Sequence, residues 1–264
     1  MATEYETRQI AAALDATPEL VPYLPDLLAD LWDLGSSPSR IADWLRDLDL
    51  PDDTRVLDLG CGKGAVALTL ARDLGFVVHG VDLFEPFIRD ARMRCKDWGL
   101  GERCRFQKAD LREVVSAATG YDVVVYASVG ALGALDDCVA ALRGCIRQGG
   151  YMVIDEGFLA PGVEAVPGFE KLTSHHESRQ RLTSHGDEVL REHALDVEEM
   201  RANDRRYIES ISRRAEAVAA AHPEDAGLIL DYVTRQERAA EAWERHAISA
   251  TWLLRKRRGE RDPA

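Results

Sequence analysis

From residue 54 onward the apolar residues come in short runs, at 55–59, 76–81, 104–109, 121–126 and 151–154. Amphipathic stretches at about 64–74, 86–98, 111–118 and 135–146 divide them, and in the second of these Ile88, Ala91, Cys95 and Trp98 share one helical face. Strand, helix, strand repeated in this way predicts a parallel sheet with right-handed crossovers. Helices then cover both faces of the sheet, which is why its strands are continuous apolar runs rather than alternations.

The flanking segments have a different rhythm. The first fifty residues read helical throughout: Leu20, Leu24, Leu27, Leu28, Leu31 and Leu34 recur at helical spacing, and Gly35 offers a left-handed stop. Ser37 as N-cap and Pro38 at the first helical position start a further helix with Ile41, Leu45 and Leu48 on one face, ended by Pro51. After residue 154, Pro161, Gly162, Pro167 and Gly168 mark a loop, followed by a polar segment with His175, His176 and His185. Residues 189–195 and 249–254 read as two more strands. Between them lie two long amphipathic helices, one with Val197, Met200, Tyr207, Ile208, Ile211, Ala215 and Val218, the other with Ile229, Tyr232, Val233, Gln236, Ala240 and Trp243. His222-Pro223 separates the two, and 255–258 begins a charged tail expected to fray. The expected organisation is a helical extension at 1–50 and a sheet domain at 51–264 with a helical insertion at about 197–247. That insertion, with the N-terminal helices, either walls off a substrate or is a homodimerisation or purely structural appendage.

Charge narrows the partners. With 33 Lys and Arg against 46 Asp and Glu, the chain carries a net charge of −13, which disfavours phosphate backbones and anionic membrane surfaces. No run of 18 apolar residues is present, and Glu4 and Glu6 stand where a secretion signal would carry Lys or Arg. Five cysteines, at 61, 95, 104, 138 and 145, have no C-x-x-C spacing, so neither a disulfide framework nor a zinc ribbon is expected. A cytoplasmic protein with reduced thiols fits these features.

In Val56-Leu57-Asp58-Leu59-Gly60-Cys61-Gly62-Lys63-Gly64, three glycines stand where a buried strand turns into a helix. Backbone there can approach a ligand closely, beside the free N–H groups of a helix start. A tight strand-to-helix turn alone could also use such glycines. Asp82 closes the second strand, 22 residues after Gly60, where an acid would accept both hydroxyls of a ribose, and Asp110 closes the third. Asp58 lies inside an apolar run, and its carboxylate needs a partner to offset desolvation. Each strand-end acid has a solvated reading, but open parallel sheets bind ligands at the carboxyl ends of their strands.

Over about residues 54–156 the chain resembles the class I S-adenosylmethionine-dependent methyltransferases, through VLDLGCGKG, GVDLF, QKAD, YDVVVYASVG and RQGGYMVIDE. The resemblance implies a Rossmann-like α/β fold, doubly wound, with a mostly parallel seven-stranded sheet. It implies S-adenosylmethionine as cofactor and S-adenosylhomocysteine as product. Gly60, Cys61, Gly62 and Gly64 would border the methionine portion and ribose, and Asp58 would anchor the amino group through water. Asp82, with Leu83 beside it, would bind the ribose hydroxyls. Asp110 would face the adenine amino group, with Leu111 against the ring. The region from Tyr126 through Ser128 to Val129 would floor the place where methyl donor and acceptor meet.

Methyl transfer is an in-line displacement at an already electrophilic carbon, so alignment matters most and a base is needed only for a protonated nucleophile. Tyr126 and Glu156 are the candidate catalytic groups. Tyr126-Ala127-Ser128-Val129 lacks the Asn-Pro-Pro-Tyr and Pro-Cys signatures of nucleic-acid enzymes, and Asp155-Glu156 departs from the Asp-Asn pair of catechol-type metal enzymes. The histidines, including His193, match no common ligand spacing, so no metal is expected. A small-molecule acceptor is the expected substrate. Two other readings stay open: a non-catalytic S-adenosylmethionine-binding sensor or scaffold, and an NAD(P)-dependent oxidoreductase, since Gly60, Gly62 and Ala65 also satisfy G-x-G-x-x-A.

Overall fold

The computed structural model describes residues 3–164 and 166–257. Seven strands form one sheet: β1 (Arg55–Leu59), β2 (Val77–Asp82), β3 (Cys104–Lys108), β4 (Tyr121–Ala127), β5 (Ile146–Leu159), β6 (Glu188–Ala194) and β7 (Ala247–Arg255). Their order is β3-β2-β1-β4-β5-β7-β6. The pairs β1–β2, β2–β3, β1–β4 and β4–β5 are parallel, and β6 runs antiparallel to β7. This is the doubly wound α/β sheet that the alternating apolar runs predict. Chain order reverses between β1 and β4, and at such a switch point the loops leave in opposite directions and open a crevice.

By compactness the chain divides into two units, with bounds other than 1–50 and 51–264. One comprises 1–32 with 195–248, the other 33–194 with 249–264. In the sheet unit, α3 (Pro38–Arg46) packs on α4 (Ala65–Leu74), so this helix, expected in the N-terminal extension, belongs with the sheet. Its start follows the sequence, since the Ser37 hydroxyl accepts the Arg40 N–H at 3.4 Å. The helix α4 is buried along Ala65–Ala71 and carries left-handed glycines at both ends, Gly64 and Gly75. Three further helices follow the strands: α5 (Glu85–Asp97), α6 (Leu111–Ala117) and α7 (Leu135–Cys145). The core of this unit includes Val56, Leu57, Leu59, Leu68, Val123, Val124, Val125, Ile154 and the fully buried Trp252, Leu253 and Leu254.

The other unit pairs α9 (Val197–Ala221) with α10 (Ala226–His246), and both pack on N-terminal elements of the same unit. Continuous helix over the first fifty residues is corrected here. After α1 (Glu4–Ala13) come a 3-10 helix (Pro18–Tyr23), a single turn α2 (Leu24–Leu27) and then turns. Pro18, Pro22 and Pro25 supply no N–H donor, so leucines at helical spacing are buried without an extended helix beneath them. Tyr23 donates its hydroxyl to the Asp225 carboxylate at 2.5 Å, and the Tyr232 hydroxyl donates to the Leu14 carbonyl at 3.1 Å.

One element is new relative to the sequence reading. The polar segment at 175–185 contains α8 (His175–Leu182), started by Ser174, whose hydroxyl accepts the Glu177 N–H. Among the described residues, no helix is long and apolar enough to cross a membrane. The tail expected from 255 begins inside β7, and its continuation at 258 lies outside the described residues.

Candidate functional site

The three glycines between β1 and α4 all take left-handed backbone, with φ of 73° at Gly60, 52° at Gly62 and 80° at Gly64. A side chain at Gly60 would put Cβ 2.4 Å from the Val129 side chain. The loop is fastened to β2, because Gly60 and Cys61 both donate their N–H to the Val81 carbonyl, at 2.8 and 2.9 Å. The Asp82 carboxylate completes the tie: Oδ2 accepts the Gly62 N–H at 2.9 Å and Oδ1 the Phe84 N–H at 2.8 Å. Burial pushes this carboxyl up from its usual range, opposed by those backbone donors. Leu83, between Asp82 and Phe84, is half-buried.

Asp58 is 3% exposed inside β1. The Ala67 N–H in the first turn of α4 supports its carboxylate, but Oδ2 is buried with no hydrogen-bond partner. Burial, with Asp82 nearby, raises its pKa to about 7. A lone buried carboxylate oxygen is costly unless a donor or cation arrives to meet it. The residues therefore fit the amino group, which the resemblance places on Asp58.

Asp110 stands at the end of β3 as the N-cap of α6. Its carboxylate is held by Arg112, through the backbone N–H at 2.9 Å and two guanidinium bonds at 2.9 and 2.8 Å, which keep it below the usual carboxylate range. A contact to an adenine amino group would have to share these oxygens with Arg112, a competitor that the sequence reading did not weigh. Leu111, the first residue of α6, is half-buried.

Across the switch point, Tyr126 is 2% exposed and its hydroxyl accepts the N–H of Ala131 at 2.6 Å and of Leu132 at 2.9 Å. Burial drives the phenol well above its ordinary value. These bonds fasten the loop after β4. Ser128 has a left-handed backbone (φ 58°), and its hydroxyl donates to Asp155 Oδ1 at 3.3 Å. Thr251 on β7 donates to the other oxygen, Oδ2, at 2.8 Å. Burial raises Asp155 to about 6 despite both hydroxyls. The next residue, Glu156, is half-buried and raised by burial, against the Gly157 N–H at 3.2 Å and the Lys171 charge.

Several partners in this region were not evident in the sequence. Leu34 would lie 3.4 Å from a Cβ at Gly62, and a Cβ at Gly35 would meet Ser128 Oγ at 2.8 Å. Gly35 (φ 102°) is thus a point of close approach, not the end of a helix. Nothing in the spacing links Thr251 to Asp155, 96 residues away. Lys63, in the glycine loop, is 3% exposed, with Nζ 3.9 Å from Asp90 Oδ2 and 5.5 Å from the centre of the Phe87 ring. Burial lifts the Cys61 thiol far above its usual value. His175 pairs with Glu192, as does Arg179, and among the described residues no group of three His, Cys, Asp or Glu could hold a metal.

Residues 56–150 match the methyltransferase domain family. The uncharacterised protein YjhP of Escherichia coli is 34% identical over 116 residues, covering 43% of this chain and 46% of that one. The 27-O-demethylrifamycin SV methyltransferase of Amycolatopsis mediterranei is 27% identical over 177 residues, 62% of this chain and 64% of that one. The alignments span from about a third to just under half of the first curated relatives' own length. Among solved structures, a SAM-dependent methyltransferase from Thiobacillus denitrificans in complex with S-adenosyl-L-homocysteine superposes with a TM-score of 0.75. Its identity is 22%, over 89% of this chain and 98% of that one.

Proposed function

We propose, from a chain that belongs through residues 56–150 to the methyltransferase domain family, that this protein transfers a methyl group from S-adenosylmethionine to a small-molecule acceptor. The observation that carries the reading is the unpartnered Asp58 Oδ2, buried beside a glycine loop that Asp82 holds from the neighbouring strand. The cofactor supplies a sulfonium-activated methyl group when bound. Gly60, Cys61, Gly62 and Gly64 would receive its methionine portion, Asp58 the amino group, Asp82 and Leu83 the ribose, and Asp110, Leu111 and the backbone of Ser128, whose hydroxyl is held by Asp155, the remaining edge. The oxygens of Asp82 would exchange part of their hold on Gly62 and Phe84 for hydroxyl donors. The net charge of −13 favours a small acceptor over nucleic acid, and five free cysteines suit a reducing cytoplasm. Calorimetric titration tests the reading: S-adenosylhomocysteine binds and NAD does not, and the reverse outcome sinks it.

Asp58 gives this binding a pH dependence of defined sign. An ammonium beside Oδ2 favours the ionised carboxylate, so binding releases a proton wherever the free protein holds Asp58 protonated. Affinity is expected to rise as pH increases through about 7 and then level. The stability of the free protein has the opposite slope, because a carboxyl raised on folding loses its contribution as pH rises through that same value. Titrations in buffers of different ionisation enthalpy should show proton release in the wild type and much less in Asp58→Asn. Equal proton release in both would remove Asp58 from this role.

For the acceptor we assign Glu156 as the acid/base or orienting group. Both oxygens of Asp155 already accept hydroxyls, and the Tyr126 hydroxyl already accepts two N–H groups. Glu156→Gln is expected to lower kcat by about tenfold, below the usual range for a general base because the methyl donor is already electrophilic. It should also remove the acidic limb of the pH profile. Unchanged kcat and pH profile would reject Glu156. A second reading, a binder of the same cofactor without turnover, is favoured by how fully Tyr126 and Asp155 are engaged. It predicts cofactor binding with no methyl transfer to any acceptor tried.

A further inference from the structure

Among the described residues, the loop after β4 contains the one left-handed residue directly following a strand that is not glycine. Ser128 sits at φ 58°, a conformation that β-carbon sterics disfavour and that persists only where its surroundings impose it. The imposing group is on the page. Ser128 donates its backbone N–H to the Asp155 carbonyl at 3.0 Å and its hydroxyl to Asp155 Oδ1 at 3.3 Å. Thr251 holds the other oxygen of the same carboxylate at 2.8 Å, which fixes its plane. On the far side Gly35 leaves no room for a Cβ, since Ser128 Oγ would stand 2.8 Å from it.

What this corner sets is the position of the next residue. Val129 lies where a Cβ of Gly60 would be, 2.4 Å from that point, so its side chain is seated against the first glycine of the cofactor loop. If Ser128 relaxed to negative φ, the peptide leading to Val129 would turn over and Val129 would leave Gly60. We propose that Asp155 is a positioning residue for the cofactor site: by holding Ser128 left-handed it seats Val129 on Gly60 and couples the ends of β4, β5 and β7 to the glycine loop of β1. The inference rests on the methyltransferase reading, because it needs the Gly60 loop to be where the cofactor binds. It does not make Asp155 a catalytic group. Both its oxygens are committed to protein hydroxyls, and its effect passes through Ser128 and Val129.

The test titrates the whole chain with S-adenosylhomocysteine. Asp155→Ala, which removes both acceptor oxygens, is expected to weaken binding by about tenfold, the loss that follows when a strained corner is no longer imposed. Adding Ser128→Gly to Asp155→Ala should recover most of that loss, since glycine adopts the left-handed backbone without help. Thermal denaturation separates this from general damage, because glycine relieves only the backbone strain: affinity should return almost fully while Tm returns only in part. Should Asp155→Ala fail to fold, Thr251→Val carries the test. It should weaken binding about threefold and likewise be rescued by Ser128→Gly. Wild-type affinity in Asp155→Ala, or in Thr251→Val where that variant carries the test, overturns the proposal. So does a loss that Ser128→Gly does not relieve. A wild type that binds no S-adenosylhomocysteine overturns the methyltransferase reading first and this inference with it, so the two failures are distinguishable.

Discussion

Asp82→Ala is expected to weaken S-adenosylhomocysteine binding by ten- to hundredfold. Hydrogen bonds to a charged group are worth about 1.5–3 kcal/mol, and each 1.4 kcal/mol is a factor of ten in affinity. In the free protein Asp82 accepts the N–H groups of Gly62 and Phe84, so the substitution also unties the glycine loop from the end of β2. Asp82→Asn separates the two contributions, because an amide oxygen can still accept one N–H but offers no charge to a pair of hydroxyls. Calorimetry should place Asn between wild type and Ala. An affinity for Asp82→Ala equal to that of the wild type would falsify the ribose assignment.

Gly60→Ala is expected to cost more. A methyl group at this position meets Val129 at 2.4 Å and must also accept a φ of 73°. Overpacking typically costs about 1–3 kcal/mol, and left-handed backbone at an L-residue adds roughly 1–2 kcal/mol. The sum corresponds to a fall in Tm of several degrees, at about 2–4 °C per kcal/mol for a chain of this size class. Binding should fall beyond hundredfold, because relieving the clash displaces either Val129 or the loop that Gly60 and Cys61 bond to Val81. Gly62→Ala provides the comparison. Its Cβ would find only Leu34 at 3.4 Å, so it bears the backbone strain with little clash. If the two variants lose equal stability, the close packing of Val129 on Gly60 is not what demands glycine there.

The sheet could be read from the sequence because both of its signals are local. Apolar runs such as 55–59 and 121–126 are buried on two faces, and glycine at 60, 62 and 64 meets a backbone demand that no other residue satisfies cheaply. The strand-end acids Asp58, Asp82 and Asp110 follow from the same regularity, since parallel strands all end at one edge. What was not legible depends on contacts distant in sequence. Gly35 carries the same letter as a helix stop, and only its approach to Ser128 shows otherwise. Thr251 is one hydroxyl in an apolar strand, with nothing to mark it as the second hold on Asp155. The leucines at 20–34 have helical spacing, yet Pro22 and Pro25 prevent the corresponding backbone. Arg112 on Asp110 was accessible in principle, as a cation two residues beyond an N-cap acid.

The interlacing of the two compact units has a consequence for how the chain comes off the ribosome. The helical unit joins 1–32 to 195–248, and the sheet unit takes back the chain at 249. Leu20, Leu24 and Leu27 are therefore synthesised long before α9 and α10, the partners within their own unit, exist. The sheet in turn lacks β7, with Trp252, Leu253 and Leu254, until the whole of α9 and α10 has been made. Neither unit is complete until the segment beyond its gap has been made: the helical unit closes across 33–194 and the sheet unit across 195–248, and such long-range closure slows folding through its entropy. The apolar N-terminal segment is then a surface to be shielded during translation, and a nascent chain stalled before residue 195 would present it to chaperones.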